Sequence, residues 1–144
     1  MAGPQFFTPP IVTPSKSKKR FTLAQANKTL PLVSRIAADI VAVHQAASTL
    51  QGRLETIKSS KEQNKTEKEL ESKLDRLQTL VDELSEVGCE LKDYQTGLVD
   101  FMGRHQGRDV CLCWKLGEAK IGFWHELQTG FAGRKPVSEL GEGE

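Results

Sequence analysis

Two apolar seams separated by a short polar break constrain this chain more than anything else in it. From Val33 the apolar residues fall at 33, 36, 40, 43, 47, 50, 54 and 57, in alternating steps of three and four. That spacing keeps one stripe of a helix against a partner helix. Leu70, Leu74, Leu77, Val81, Leu84 and Leu91 repeat it, with Gly88 in the one slot that is not apolar. Facing residues of an antiparallel hairpin have numbers with a constant sum. Leu54 with Leu70, Leu50 with Leu74, Ala47 with Leu77, Val43 with Val81, Ile40 with Leu84 and Val33 with Leu91 all meet one sum. The implied turn is centred on Glu62, inside the polar break over 59–64. Seams and break agree on one long helical hairpin.

Local signals divide the helices. Thr22, three residues before Gln25, forms a capping box, in which hydroxyl and amide satisfy backbone donors orphaned by the first turn. A short helix over 22–30 is expected, and Pro31 then suits the start of a second over 31–59, where its missing N–H has no partner to lose. A third spans 65–88 and stops at Gly88. Near the turn the seam is bare and flanked by Lys58, Lys61, Lys65, Lys68, Glu67, Glu69 and Glu71. Nearer the base Leu32, Ala37, Val41, Leu80 and Val87 widen it, as a helix does when it covers something besides its partner. A helix over 31–59 runs about 43 Å at ~1.5 Å per residue, so the tip projects beyond so small a core.

What the base covers reads as strands, at about 90–93, 98–101, 109–115 and 121–127. The last two make a hairpin around Gly117 and Glu118, with Val110, Leu112 and Trp114 opposite His125, Phe123 and Ile121; that face lies under the helices. The fold class is α+β: a long, coiled-coil-like antiparallel helical hairpin packed at its base on a small antiparallel β-sheet. One domain over 21–136 is flanked by an acidic tail over 137–144 and by a basic, Pro-rich arm over 1–20, both expected to be disordered. The arm holds Lys16, Lys18, Lys19 and Arg20 and no acid.

Composition excludes several classes. At 144 residues there is room for one domain. No run approaches the roughly 20 apolar residues of a membrane-spanning helix, and the opening MAGPQFFTPP lacks the charge and apolar run of a secretory signal. Three cysteines do not make a disulfide framework, so a reducing, cytoplasmic setting is expected. Four charges on the arm, against a net charge of +1, do not amount to a nucleic-acid surface.

Few residues carry chemistry at recognisable spacing. Cys111 and Cys113 resemble half of a thiolate site, but a structural zinc needs a second pair and there is none. They read as buried small apolar residues, and no metal or cofactor is assigned. Cys89 reads the same way, with a reactive thiol as alternative. His44 reads as a half-buried helix histidine and His105 as solvated in a polar turn. Trp124-His125-Glu126 is not half of a zinc-protease helix, since position 129 is Thr. His125 with Asp100 or Glu118 has the makings of a general base, but nothing local brings them together. The segment from Gly130 through Gly133 and Arg134 lacks the spacing of a phosphate loop and reads as an exit loop packing Phe131.

FTLAQAN followed by LPLV, then GLVDF, VCLCWKLGE, IGFWHEL and GFAGRKP in this order resemble the bacterial domain-of-unknown-function family two-two-zero-three, over about 21–136. The resemblance implies a small bacterial cytosolic protein with a helical hairpin and a compact strand-rich end, with no activity attached to it. Its motif carries over to Gly97, Asp100, Phe101, Cys113, Trp114, Gly117, Glu118, Trp124, His125, Glu126, Gly130, Phe131, Gly133 and Arg134. Glycines and aromatics there have packing roles. Asp100, Glu118, His125, Glu126 and Arg134 are harder to explain so, because unpaired charge inside a sheet is costly. With Trp114 and Trp124 as apolar walls, they are the candidate binding residues. The favoured reading is a non-enzymatic binding or scaffold module that engages a protein partner, or itself, through its hairpin or sheet face. The alternative is a small-ligand or metal-dependent enzyme using the polar set around His125.

Overall fold

In the computed structural model, which describes residues 19–140, Thr22 caps the first helix as its sequence requires. Its hydroxyl accepts from the Gln25 amide at 3.1 Å, and Gln25 Oε1 accepts from the Thr22 amide at 2.9 Å. Helix α1 (Leu23–Leu54) then runs unbroken through Pro31. The expected division at residue 30 is therefore corrected. Pro31 removes the donor for the Asn27 carbonyl, but Leu30 and Val33 on either side are buried in the core, and Asn27 Oδ1 accepts from the Ile121 amide at 2.8 Å. Packing outweighs the lost hydrogen bond.

Helix α2 (Ser60–Val87) starts five residues earlier than its seam indicates, after Ser59, whose hydroxyl accepts from the Glu62 amide at 3.4 Å. The connection is thus 55–59 and not 59–64, and Ile57 lies outside both helices. Residues 60–69 are exposed apart from Thr66. Their Lys and Glu side chains favour helix without leaving an apolar pattern to detect. Gly88 closes α2 in the left-handed conformation at φ 113°. Toward the tip Ala47, Leu50 and Leu54 of α1 cluster with Leu70 and Leu74 of α2; the cluster holds the expected pairs Leu54–Leu70 and Leu50–Leu74 and is separate from the main core, to which Leu77, the partner expected for Ala47, belongs. Ala37 and Leu80 widen the stripe as expected, whereas Leu32 is 47% exposed and does not.

Five antiparallel strands pair strictly in chain order: β1 (Cys89–Asp93), β2 (Leu98–His105), β3 (Arg108–Lys115), β4 (Phe123–Glu126) and β5 (Lys135–Pro136). β2 is twice the expected length, because Gln106 and Gly107 at φ 53° and 79° form a two-residue hairpin turn and His105 pairs with Arg108. The β3–β4 register is slipped by one residue from the expected one. Cys111 faces His125, Leu112 faces Trp124 and Cys113 faces Phe123. Ile121 is spent outside the strand, on Asn27. Because side chains alternate, a one-residue slip exchanges faces. Trp124 joins Val99, Phe101, Val110, Leu112 and Trp114 in the core beneath Ile36, Ile40, Leu77 and Leu84. His125 turns to the other face.

Past β5 the chain stays engaged. Val137 donates to the Gly122 carbonyl at 3.0 Å, and Val137 and Leu140 pack against the core, so 137–140 are not the loose tail expected of them. Arg20 forks onto Asp109 at 2.8 and 3.0 Å. Of the expected arm, Lys16 and Lys18 lie outside the described residues. No described helix is long and apolar enough to cross a membrane.

Candidate functional site

On the sheet face turned away from the helices, alternation places Asp100 and Met102 of β2, Cys111 and Cys113 of β3, and Phe123 and His125 of β4. Asp100 is the cross-strand partner of Cys113, and His125 that of Cys111. Asp100 and His125 thus stand on strands separated by β3. They meet above it, where the two intervening side chains are small thiols rather than the Leu or Trp of the opposite face.

His125 Nε2 lies 3.1 Å from Asp100 Oδ2, and its Nδ1 lies 2.8 Å from the Glu126 carbonyl. A carbonyl only accepts, so Nδ1 carries hydrogen and Nε2 is the atom offered to the carboxyl group. Nε2 and Oδ2 are hydrogen-bond partners. The thiol of Cys113 completes the group: ligand-type atoms of Asp100, Cys113 and His125 all lie within 4.8 Å of one another. Asp100 is 7% exposed, His125 4% and Cys113 0%.

Burial pushes the Asp100 carboxyl upward, against the pull of His125 and Lys92. Burial and then the Asp100 charge push both the Cys111 and Cys113 thiols up to about 12. Both thiols stand near enough to lend the Asp100 carboxyl a weak hydrogen bond, but among the described residues no partner reaches Asp100 Oδ1 with full hydrogen-bond geometry. A cleft of about 570 Å³ opens beside the group, lined by Lys92, Asp100, Met102, Cys111, His125 and Leu127 among others. At its rim Lys92 pairs with Glu90 at 2.6 Å.

The remaining candidates have other engagements. Glu118 Oε1 accepts from the Lys115 amide at 2.9 Å, and the Trp114 indole donates to the Glu118 carbonyl at 2.9 Å, so both shape the loop after β3. Glu126 is forked by Arg108 at 2.6 and 3.0 Å. The Arg134 guanidinium stacks over Phe123 and Phe131, 4.3 and 3.9 Å from their centroids, where its charge still favours the Cys113 thiolate. Trp114 and Trp124 line the core, not the cleft. Of the five polar candidates only Asp100 and His125 converge, and the tryptophan walls belong to the opposite face. His125 does not face the helices as first expected. His105 is 7% exposed, not solvated, and packs 5.1 Å from the Trp124 ring. His44 stacks on Tyr94 from its half-buried helix position. Nothing local to Cys113 marks it as more than a packing residue; only the strand register shows what it stands beside.

These features define an α+β protein in which a helical hairpin covers one face of an antiparallel meander, and a buried carboxylate–imidazole–thiol group occupies the other. The chain belongs to the DUF2203 family, described as an uncharacterized conserved protein, whose model matches residues 19–137. No curated protein and no solved structure matches it.

Proposed function

We propose that the protein is a binding module that takes a small ligand in the cleft on the helix-free face of its sheet. The observation that carries this reading is Asp100 Oδ1, buried and, among the described residues, without a hydrogen-bond partner at the wall of an open cleft. An orphaned acceptor there costs about 1–3 kcal/mol, and a ligand offering a donor or a positive charge removes that cost. His125 holds the other carboxylate oxygen and fixes which one is free. Met102 and Leu127 give the cleft apolar wall, so shape as well as charge selects the ligand. Nothing in this reading requires a chemical step.

A second reading rests on the open groove between the helices near the tip, lined by Gln51, Leu54, Glu67, Leu70 and Leu74 among others; there a protein partner, or a second copy, would engage the hairpin. One experiment separates the two. Amide NMR spectra of the full chain are recorded during titration with small amines, amides and cations. Shifts gathered on residues 100–102, 111–113 and 125–127, and absent from Asp100→Asn, support the cleft. Concentration-dependent shifts confined to residues 50–74 would transfer the function to the hairpin.

A further inference from the structure

We propose that Asp100, Cys113 and His125 bind one divalent transition ion of the zinc class, reached from the cleft that Asp100 and His125 line. The inference deepens the reading of the cleft as the binding site and rests on it. The donor set comes first: a thiolate with an imidazole and a carboxylate suits zinc or cobalt(II), whereas magnesium and calcium take oxygen ligands. The orientation of the imidazole comes second. Nδ1 is tied to the Glu126 carbonyl, which leaves Nε2 as the ligand atom, and an outer hydrogen bond of this kind aligns metal-binding histidines. Asp100 Oδ1, buried and without a partner among the described residues, is the third observation. An ion on the carboxylate supplies the partner Oδ1 lacks; as Nε2 turns from Oδ2 to the ion, its hydrogen bond there is given up, and the Cys113 thiol proton and any proton on Nε2 leave to solvent.

Each ligand comes from a different neighbouring strand, β2, β3 and β4, and their frame is fixed by cross-strand pairing, not by a loop. Ligand atoms around a tetrahedral ion with bonds of about 2.0–2.3 Å are roughly 3.3–3.8 Å apart. Atoms now within 4.8 Å need to close by about one ångström, which side-chain rotation supplies. Three protein ligands with one open position is the arrangement of an ion that meets exogenous molecules; a closed structural site has four. Cys111 borders the cleft and is not part of the trio, which makes it the internal control.

The test is titration of the reduced full chain with cobalt(II) alone, followed by absorption. One ion per chain is expected, with a thiolate-to-cobalt charge-transfer band that zinc(II) abolishes by displacement. Cys113→Ser should lose that band. Asp100→Asn and His125→Gln should each weaken binding at least about tenfold, and Cys111→Ser should keep both band and affinity. Circular dichroism verifies that each variant is folded, and the nearly isosteric Asp100→Asn keeps the test valid should Cys113→Ser unfold. A wild-type chain without a charge-transfer band, a band that survives Cys113→Ser, or one lost only with Cys111→Ser overturns the proposal. If cobalt(II) fails to bind while organic amines still shift residues 100–102 and 125–127, the ion is refuted and the cleft reading stands. If both fail, both fall.

Discussion

His125 and Asp100 touch, Nε2 to Oδ2 at 3.1 Å, although a whole strand runs between the strands that carry them. Truncating one strands the other in a buried place. His125→Ala should lower stability by about 1–3 kcal/mol in urea denaturation. Added to Asp100→Asn it should cost less than the two single changes together, because the second removes an interaction already lost. Strict additivity would mean that the pair is not coupled.

The hairpin register is open to a covalent test. With the native cysteines replaced, Val43→Cys and Val81→Cys should cross-link within one chain under mild oxidation, since disulfides form only where Cβ atoms approach to about 4 Å. Covalent dimers in place of an internal bridge would instead indicate exchanged hairpins.

Two leucines of one seam should differ in cost. Leu84, 1% exposed in the main core, should lose about 2–5 kcal/mol on truncation to Ala, and Leu70, 8% exposed in the small tip cluster, should lose less. Equal losses measured by denaturant titration would contradict a separately packed tip.

Stability should fall in alkali through the thiols. Burial raises Cys89, like Cys111 and Cys113, to about 12. The folded chain keeps protons that the unfolded chain releases above about pH 9, so stability is full below that pH and declines toward 12, by at most roughly 1.4 kcal/mol per pH unit for each thiol. Cys89→Ala, outside the Asp100–Cys113–His125 group, should make the decline shallower. An unchanged slope would show that Cys89 titrates alike in both states.

Gly97 should resist substitution. It holds φ +70°, and a Cβ there would come within 2.9 Å of the Leu116 Cβ and 3.3 Å of Val41 Cγ2. Gly97→Ala combines strain with a clash at the seat of α1 on the sheet and should cost more than about 1 kcal/mol. A melting temperature equal to wild type would mean that the turn rearranges freely.

The hairpin was legible in the sequence because its two seams test each other, five pairs across the two helices meeting one sum; the sixth, Val33 with Leu91, falls outside the hairpin because Leu91 lies in β1. Its connection was not, since Ser59 and the Lys–Glu stretch after it bear no apolar mark. The sheet was legible as strands but not as a register. Gly117 and Glu118 suggest a tight turn, whereas Glu118 closes a wider loop on Lys115 and Trp114. That single residue of slack decides whether His125 or Trp124 enters the core, and with it whether Asp100 has a neighbour. Asp100 and His125 were visible as polar residues without a packing role; Cys113 beside them was visible only as a small apolar residue. Their meeting is a property of three strands at once and has no local signature.

Because every strand of the meander pairs with the one just before it, the order of pairing along the sheet is the order of synthesis. A nascent chain can complete α1 and α2 against each other on the ribosome and then add strands one at a time. Some joints have to wait, among them the Phe21 amide, which donates to the Met102 carbonyl at 2.8 Å, Asn27, which accepts from the Ile121 amide, and the pair above β3, which needs β4. A chain released before Phe123 would carry a finished hairpin, Cys111, Cys113 and Asp100, but no imidazole beside them.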